Sequence, residues 1–272
     1  MAYDVIVVGA GSAGCVVAAR LSENPGRQVL LLEAGPDFPR QADLPSDVAD
    51  ASQPTLDHDW GFVSEREALG REVPLPRAKL VGGCSATNAA FLLRGRPADY
   101  DSWAAAGNPG WSYDELLPTF RAVEADREVD QLWHGAVGPI PVWRPAQDDL
   151  TPLQRAFAEA AVSMGHVWVS DLNHPDAAGV GPIPRNVHEG VRMSAALTHL
   201  GPARPRSNLT VRPLAQVDRI ELTGTHVRGV RMVGGAVVEC PRVVLAAGTY
   251  CSPAILMRSG VGPARVLRDV GI

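Results

Sequence analysis

The sequence predicts an α/β fold built on a parallel sheet, and three observations carry that expectation. The apolar run Val5-Ile6-Val7-Val8 leads directly into Gly9-Ala10-Gly11-Ser12-Ala13-Gly14. A second run, Val29-Leu30-Leu31-Leu32, ends in Glu33, 19 residues after Gly14. A third, Arg242 to Gly248, again closes on small residues far along the chain. Short, wholly apolar runs bounded by glycines read as strands of a parallel sheet, which is covered on both faces.

Each element can be justified in order. Residues 1–33 form a βαβ unit, with Val5–Val8 as the first strand and a helix opening at the glycines. The glycines allow a tight turn, a close approach of backbone to a pyrophosphate and close helix–strand packing. The helix N-terminus supplies unpaired N–H groups and partial positive charge for phosphate. Glu33, at the end of the second strand, can accept hydrogen bonds from ribose hydroxyls. Strand, glycines, helix, strand and terminal acid in register point to an adenine dinucleotide. Residues 34–76, rich in Pro, Asp and Gly, read as an extended surface excursion holding Asp59-Trp60-Gly61-Phe62. Gly82-Gly83 and the small residues after it give either a backbone approach to a ligand or a helix–strand packing seam. Residues 99–125 read as amphipathic helix interrupted by Gly107-Asn108-Pro109-Gly110. Ile140-Pro141-Val142 is a short strand. Pro152 to Gly165 is a helix with proline near its start and glycine at its end. Residues 166–208 are loop-rich. Residues 209–217, 219–222, 227–233 and 236–240 read as strands of a β-meander, before the apolar strand that ends at Ala247-Gly248.

Composition narrows the functional classes. The chain has 272 residues, is 46% hydrophobic and 20% charged, and carries a net charge of −5. That balance, with a single lysine (Lys79) and no basic run, argues against a nucleic-acid partner. Cys15, Cys84, Cys240 and Cys251 form no CxxC pair and stand at no metal-ligand spacing to histidines, so neither metal nor disulfide framework is expected. No signal peptide or transmembrane run is visible, and a cytoplasmic location is the default expectation. The seven histidines, at 58, 134, 166, 174, 188, 199 and 226, show no catalytic spacing and read as surface or structural residues.

Three separated segments together resemble the glucose–methanol–choline (GMC) oxidoreductases. One is the opening βαβ unit. Residues 78–95 resemble the family's first signature, G-K-x-L-G-G-S-S-x-I-N ending in R-G, through Lys79, Val81, Gly82, Gly83, Ser85, Asn88, Arg94 and Gly95. Residues 248–262, Gly248-Thr249-Tyr250-Cys251-Ser252-Pro253 onward, resemble its second signature. The resemblance implies a Rossmann-like FAD-binding domain in two pieces, 1–150 and 206–272, with 151–205 beginning an incomplete α+β substrate domain. It implies FAD as cofactor, with Gly9, Gly11, Ser12, Ala13 and Gly14 at the pyrophosphate and Glu33 and Ala34 at the adenosine ribose. Val81 and Gly82 would lie near the flavin or ribityl chain. Asn88, Ala89, Ala90 and Phe91 would face the isoalloxazine and pyrophosphate, Val217 the adenine, and Ala247 and Gly248 would close over the cofactor.

Some members of that family attach FAD covalently to a histidine where this chain has Thr87, so non-covalent binding is expected. The activity implied is oxidation of an alcohol CH–OH group, with a base removing the hydroxyl proton and hydride passing to flavin N5. The family's catalytic histidine lies in a further half that would follow residue 272, so no catalytic residue is expected in this chain. The resemblance leaves open the alcohol, the electron acceptor and the oligomeric state. It also leaves an alternative, a non-catalytic flavin-binding fragment or one half of a split enzyme with a C-terminal half as partner.

Overall fold

A computed structural model describes residues 2–66 and 70–272. The chain runs β1 (Val5–Val8), α1 (Ser12–Leu21), β2 (Val29–Leu32) and α2 (Ser46–Ala49). It continues through α3 (Pro97–Ala105), α4 (Tyr113–Val123), β3 (Glu124–Ala125), β4 (Ile140–Pro141), α5 (Pro152–Ser163), β5 (Val187–His188) and β6 (Val191–Arg192). Then come α6 (Gly201–Ala203), β7 (Leu209–Arg212), β8 (Val217–Thr223), β9 (His226–Met232) and β10 (Val237–Glu239). It closes with β11 (Val243–Leu245), α7 (Gly248–Arg258) and α8 (Ala264–Asp269). Two compact units result, Met1–Asn88 with Ser194–Ile272, and Ala89–Met193. Their borders are not those of the domains read from sequence at 150 and 205.

The first unit is organised by a four-stranded parallel sheet of order β11-β1-β2-β7. All residues of β1 and β2 are buried, and their alternation divides them between two cores. Val5, Val7, Val29 and Leu31 pack with Cys15, Ala18 and Ala19 of α1 on one face. Ile6, Val8, Leu30 and Leu32 pack with Val217, Val230 and Met232 on the other. Each such side chain contributes about 1.5–3 kcal/mol of burial free energy. The small buried face of α1, Gly14, Cys15, Ala18 and Ala19, lets the helix approach the sheet closely.

Two expectations need correction here. Residues 209–217 are not one strand of the meander. Leu209–Arg212 pairs parallel with β2 as the fourth strand of the main sheet. Pro213 lacks an N–H to continue a ladder, and Leu214 adopts φ 52°, so the chain turns before β8. The meander is the antiparallel set β8-β9-β10. Nor are residues 34–76 simply an extended excursion. Gln41–Asp43 and α2 are helical turns, and Val48 packs with Leu80 and Ala86. Beyond them, residues 58–64 pair antiparallel with residues 73–79. Ser64 N–H donates to Val73 O, Leu75 to Phe62 O, Trp60 to Arg77 O and Lys79 to His58 O. Pro74 and Pro76 fall on the outward side of this ladder, where no donor is needed. Residues 67–69 of the excursion lie outside the described residues.

The second unit has helices and short ladders but a different interior. The helix expected over 99–125 is divided at its glycine turn into α3 and α4, and Ser112 caps α4 by accepting from Glu115 N–H. Tyr100, Trp103, Trp111, Tyr113 and Phe120 form an aromatic group on these helices. Within the unit, buried charges come together. Arg94 pairs with Glu124 at 2.5 Å, His134 lies 2.9 Å from both Glu124 and Asp171, and Arg144 lies 2.6 Å from Asp126. Among the described residues no helix is long and apolar enough to cross a membrane.

Candidate functional site

The glycine turn after β1 is fixed by contacts that tolerate no side chain. Gly9 has φ 95°, and a Cβ there would stand 2.6 Å from Ala246 O. Gly83 has φ 53°, and a Cβ there would stand 2.6 Å from Gly11 Cα. The diglycine segment is thus pressed onto the start of α1, and Gly82 N–H donates to Ala10 O at 2.7 Å. The diglycine is a packing seam, and Gly83 also lines the cavity described next.

That cavity, about 730 Å3, lies within the first unit. Its volume falls in the range of small-molecule and cofactor sites, roughly 300–1,000 Å3. Gly9, Gly11, Ser12, Ala13, Glu33, Ala34, Val217, Ala247 and Gly248 all line it. Two helix N-termini, those of α1 and α7, meet its wall, and neither helix has an acidic residue in its first turn. First-turn N–H groups have no intrahelical partner and carry partial positive charge, so the arrangement suits an anionic group.

Glu33 is the acidic counterpart. Ala10 N–H donates to its Oε2 at 2.8 Å and Gly35 N–H to its Oε1 at 2.9 Å. The side chain therefore ties the glycine turn to the end of β2, and each oxygen keeps a further acceptor site for a hydroxyl. Burial raises its pKa above the ordinary value, against the lowering by the Gly35 and Ala10 N–H groups. Cys15, beneath the turn, bonds Ala10 O at 3.1 Å, and burial pushes its thiol up to about 12, so it is not a nucleophile.

The remaining sequence-predicted residues lie elsewhere. Gly14, Val81 and Gly82 are buried and do not line the cavity. Val81 N–H donates to Pro36 O at 2.9 Å, so Val81 and Gly82 clamp the loops that shape the site. Asn88 ends the first unit, and Ala89, Ala90 and Phe91 open the second. Ala90 is buried in the left-handed region at φ 58°, a strained position for a residue with a Cβ. Phe91 is exposed, with the Arg185 guanidinium 6.0 Å from its ring.

The sequence reading placed Trp60 and Phe62 in the surface excursion and assigned neither to the site. Trp60, Phe62, Arg77 and Tyr250 all line the cavity. Trp60 and Phe62 stack at 5.7 Å with ring planes 5° apart, and Phe62 meets Tyr250 edge-on at 5.9 Å. Arg77 lies 4.5 Å over the Tyr250 ring, and Lys79 lies 4.5 Å over Trp60. The signal was available in the spacing: Trp60 and Phe62 are two apart, which puts them on one face of a strand. No histidine lines the cavity among the described residues. His134 is wholly buried between Glu124 and Asp171 in the second unit, a structural residue.

Comparison with known proteins points the same way. A family model described as GMC oxidoreductase matches residues 3–271. A pyridoxine 4-oxidase of Microbacterium luteolum is 39% identical over 282 residues, covering 99% of this chain and 54% of that protein. An oxygen-dependent choline dehydrogenase of Brucella suis biovar 1 (strain 1330) is 36% identical over 280 residues, 100% of this chain and 50% of its own. Among solved structures, the pyridoxine 4-oxidase from Mesorbium loti superposes with a TM-score of 0.91 at 38% identity, covering 99% of this chain and 54% of that one. A formate oxidase superposes with a TM-score of 0.86 at 28% identity. The chain spans about half the length of the curated relatives it matches.

Proposed function

The chain belongs to the GMC oxidoreductase family, and from that membership we propose that it is the FAD-binding half of an oxidoreductase acting on the CH–OH group of an alcohol. The observation that carries this reading is the cavity where the glycine turn, two helix N-termini and Glu33 converge. These residues suit FAD by their chemistry. Ser12 and Ala13 at the start of α1 offer N–H groups to the pyrophosphate. Glu33 and Ala34 sit where a ribose would be held, and Val217, Ala247 and Gly248 close the wall. FAD, when bound, supplies the hydride acceptor. Thr87 has no nitrogen to form a covalent link, which supports non-covalent binding. Residues 1–150 and 206–272 are assigned to FAD binding, and 151–205 to the start of a substrate domain.

No side chain of this chain is assigned as the base. The relatives' remaining length is where that base is placed, and a C-terminal half is the partner the reading calls for. A second reading, a non-catalytic flavin-binding fragment, assigns the same cavity. The alcohol and the electron acceptor belong to the residues outside this chain. Four free cysteines suit a reducing compartment, and a cytoplasmic location is part of the proposal.

The test uses the purified chain loaded with FAD. Acid precipitation is expected to leave FAD in the supernatant. A flavin retained in the pellet, or a nicotinamide dinucleotide alone, overturns the cofactor assignment. Anaerobic mixing of the loaded chain with choline, pyridoxine and aryl alcohols is expected to leave the flavin band unbleached. Substrate-dependent bleaching by the chain alone would mean that it carries a base of its own.

A further inference from the structure

Among the described residues three that are not glycine adopt left-handed backbone: Ala90 (φ 58°), Glu189 (φ 49°) and Leu214 (φ 52°). Two of them have local reasons. Glu189 is exposed and makes, with Gly190, the two-residue turn between β5 and β6, where positive φ suits the twist of the strands. Leu214, also exposed, turns the chain before β8. Ala90 is at no hairpin and is wholly buried. A side chain held in this region persists only where its surroundings over-determine it, and such residues gather at ligand clamps and active sites.

The surroundings of Ala90 are of that kind. Leu92 N–H donates to Pro184 O at 2.9 Å, Asn186 N–H to Ala90 O at 2.9 Å and Arg185 Nη2 to Ala89 O at 3.0 Å. Where residues 184–186 leave off, the side chain of Asn173 takes over. Its Nδ2 donates to Leu92 O at 2.9 Å, and its Oδ1 accepts from Arg94 N–H at 2.9 Å. The amide thus offers one donor and one acceptor, as one residue of a neighbouring strand would. The reversed amide would set donor against donor and acceptor against acceptor. Asn173 is fixed in turn. It is 5% exposed, its own N–H donates to Asp171 Oδ1 at 2.9 Å, and Asp171 Oδ2 lies 2.9 Å from His134 Nε2.

We propose that Asn173 is a positioning residue of the oxidoreductase: its amide holds residues 89–94 with the Ala90 bend set, and so fixes the backbone that meets the isoalloxazine. The inference rests on the reading of the chain as the FAD-binding half, in which residues 88–91 face that ring. Asn173 acts through this segment and touches neither ring nor substrate. A backbone fixed in advance needs no rearrangement when the charge on the ring changes.

The experiment compares the FAD-loaded parent chain with two variants. Asn173→Leu removes the amide at similar size, and Asn173→Asp keeps the oxygen but loses the N–H₂. In the parent, the Arg94 amide is expected to exchange as slowly as that of Leu92. FAD at about ten times its dissociation constant is expected to slow it a further tenfold or so. Both variants should speed Arg94 exchange about tenfold, the factor for losing one such bond, with far-UV circular dichroism unchanged. Both should retain FAD but lose most of the visible circular dichroism that a ring acquires from a fixed asymmetric setting. Glu189→Gly, at the exposed hairpin, should leave exchange and flavin signal at the parent level. A merely space-filling Asn173 would leave the flavin signal of Asn173→Leu unchanged, and that result overturns the proposal. So does Arg94 exchange in the parent that FAD does not slow, a measurement that needs no variant to fold. A parent chain that retains no FAD defeats the functional reading itself. Retention with a flavin signal that neither Asn173 variant moves defeats only this inference.

Discussion

At the scale of the residue, His134 is the most consequential side chain outside the cavity. It is fully buried and bridges Glu124 and Asp171, with Arg94, Arg144 and Asp126 completing the group. Three carboxylates face two guanidinium groups, so the group is neutral only when His134 is an imidazolium. Burial alone would lower its pKa, but the hydrogen bonds to Asp171 and Glu124 outweigh this and push it up to about 9. The stabilisation it gives is therefore complete below its ordinary value of 6.5 and lost as pH rises through about 9. The size is of the order of 3 kcal/mol. Burial would raise Asp171, but His134 holds it below the usual carboxylate range, so its contribution is lost at the acid end. Melting temperature against pH should fall between pH 7 and about pH 9.5. In His134→Gln that fall should vanish and the neutral-pH value should drop, and an unchanged alkaline slope would refute the assignment. The sequence reading left His134 as a surface or structural residue, and the structure buries it inside this charged group. Its partners, at 94, 124, 126, 144 and 171, are joined by folding and by no spacing a sequence displays.

At the scale of the element, the βαβ unit was legible because local pattern and tertiary packing agree there. The apolar runs that mark β1 and β2 are the residues buried on both faces of the sheet, and Gly9 and Gly14 stand where a Cβ cannot. The ladder of residues 58–64 with 73–79 was not legible, because Pro74 and Pro76 signal a loop when the partner strand is unknown. Strand β7 was hidden for the opposite reason. Its sequence continues into Pro213, and only the presence of β2 beside it selects a parallel partner. The join between the diglycine segment and α1 gives a test at this scale. Gly83→Ala must displace the Gly11 turn and hold an alanine at φ 53°. We expect a loss of about 1–3 kcal/mol in urea unfolding, together with weaker FAD retention. Gly110→Ala also meets a positive φ, 85°, but nothing lies within 4 Å of its added Cβ. Its flavin retention should stay at the parent level, which separates a local clash from general strain.

At the scale of the whole molecule, the division of apolar and charged interiors sets the order of unfolding. The first unit has large cores on both faces of its sheet, whereas the second depends on ion pairs and helix caps. Native-state hydrogen exchange should find amides of 89–193 opening at lower free energy than those of β1 and β2. Equal protection across both would show that the charged interior is as stabilising as the apolar ones. The resemblance implied an incomplete substrate domain beginning at residue 151. The sequence could not show that Leu153 and Phe157 of α5 would stand exposed, because an amphipathic pattern is the same whether its face is buried or open. The ladder in the first unit has a bearing on how such a molecule stays dispersed. Its outward edge carries Pro74 and Pro76, which offer no N–H to an approaching strand. A neighbouring copy can therefore find little to pair with along that rim, so crowded chains are steered away from fibre-like stacking there.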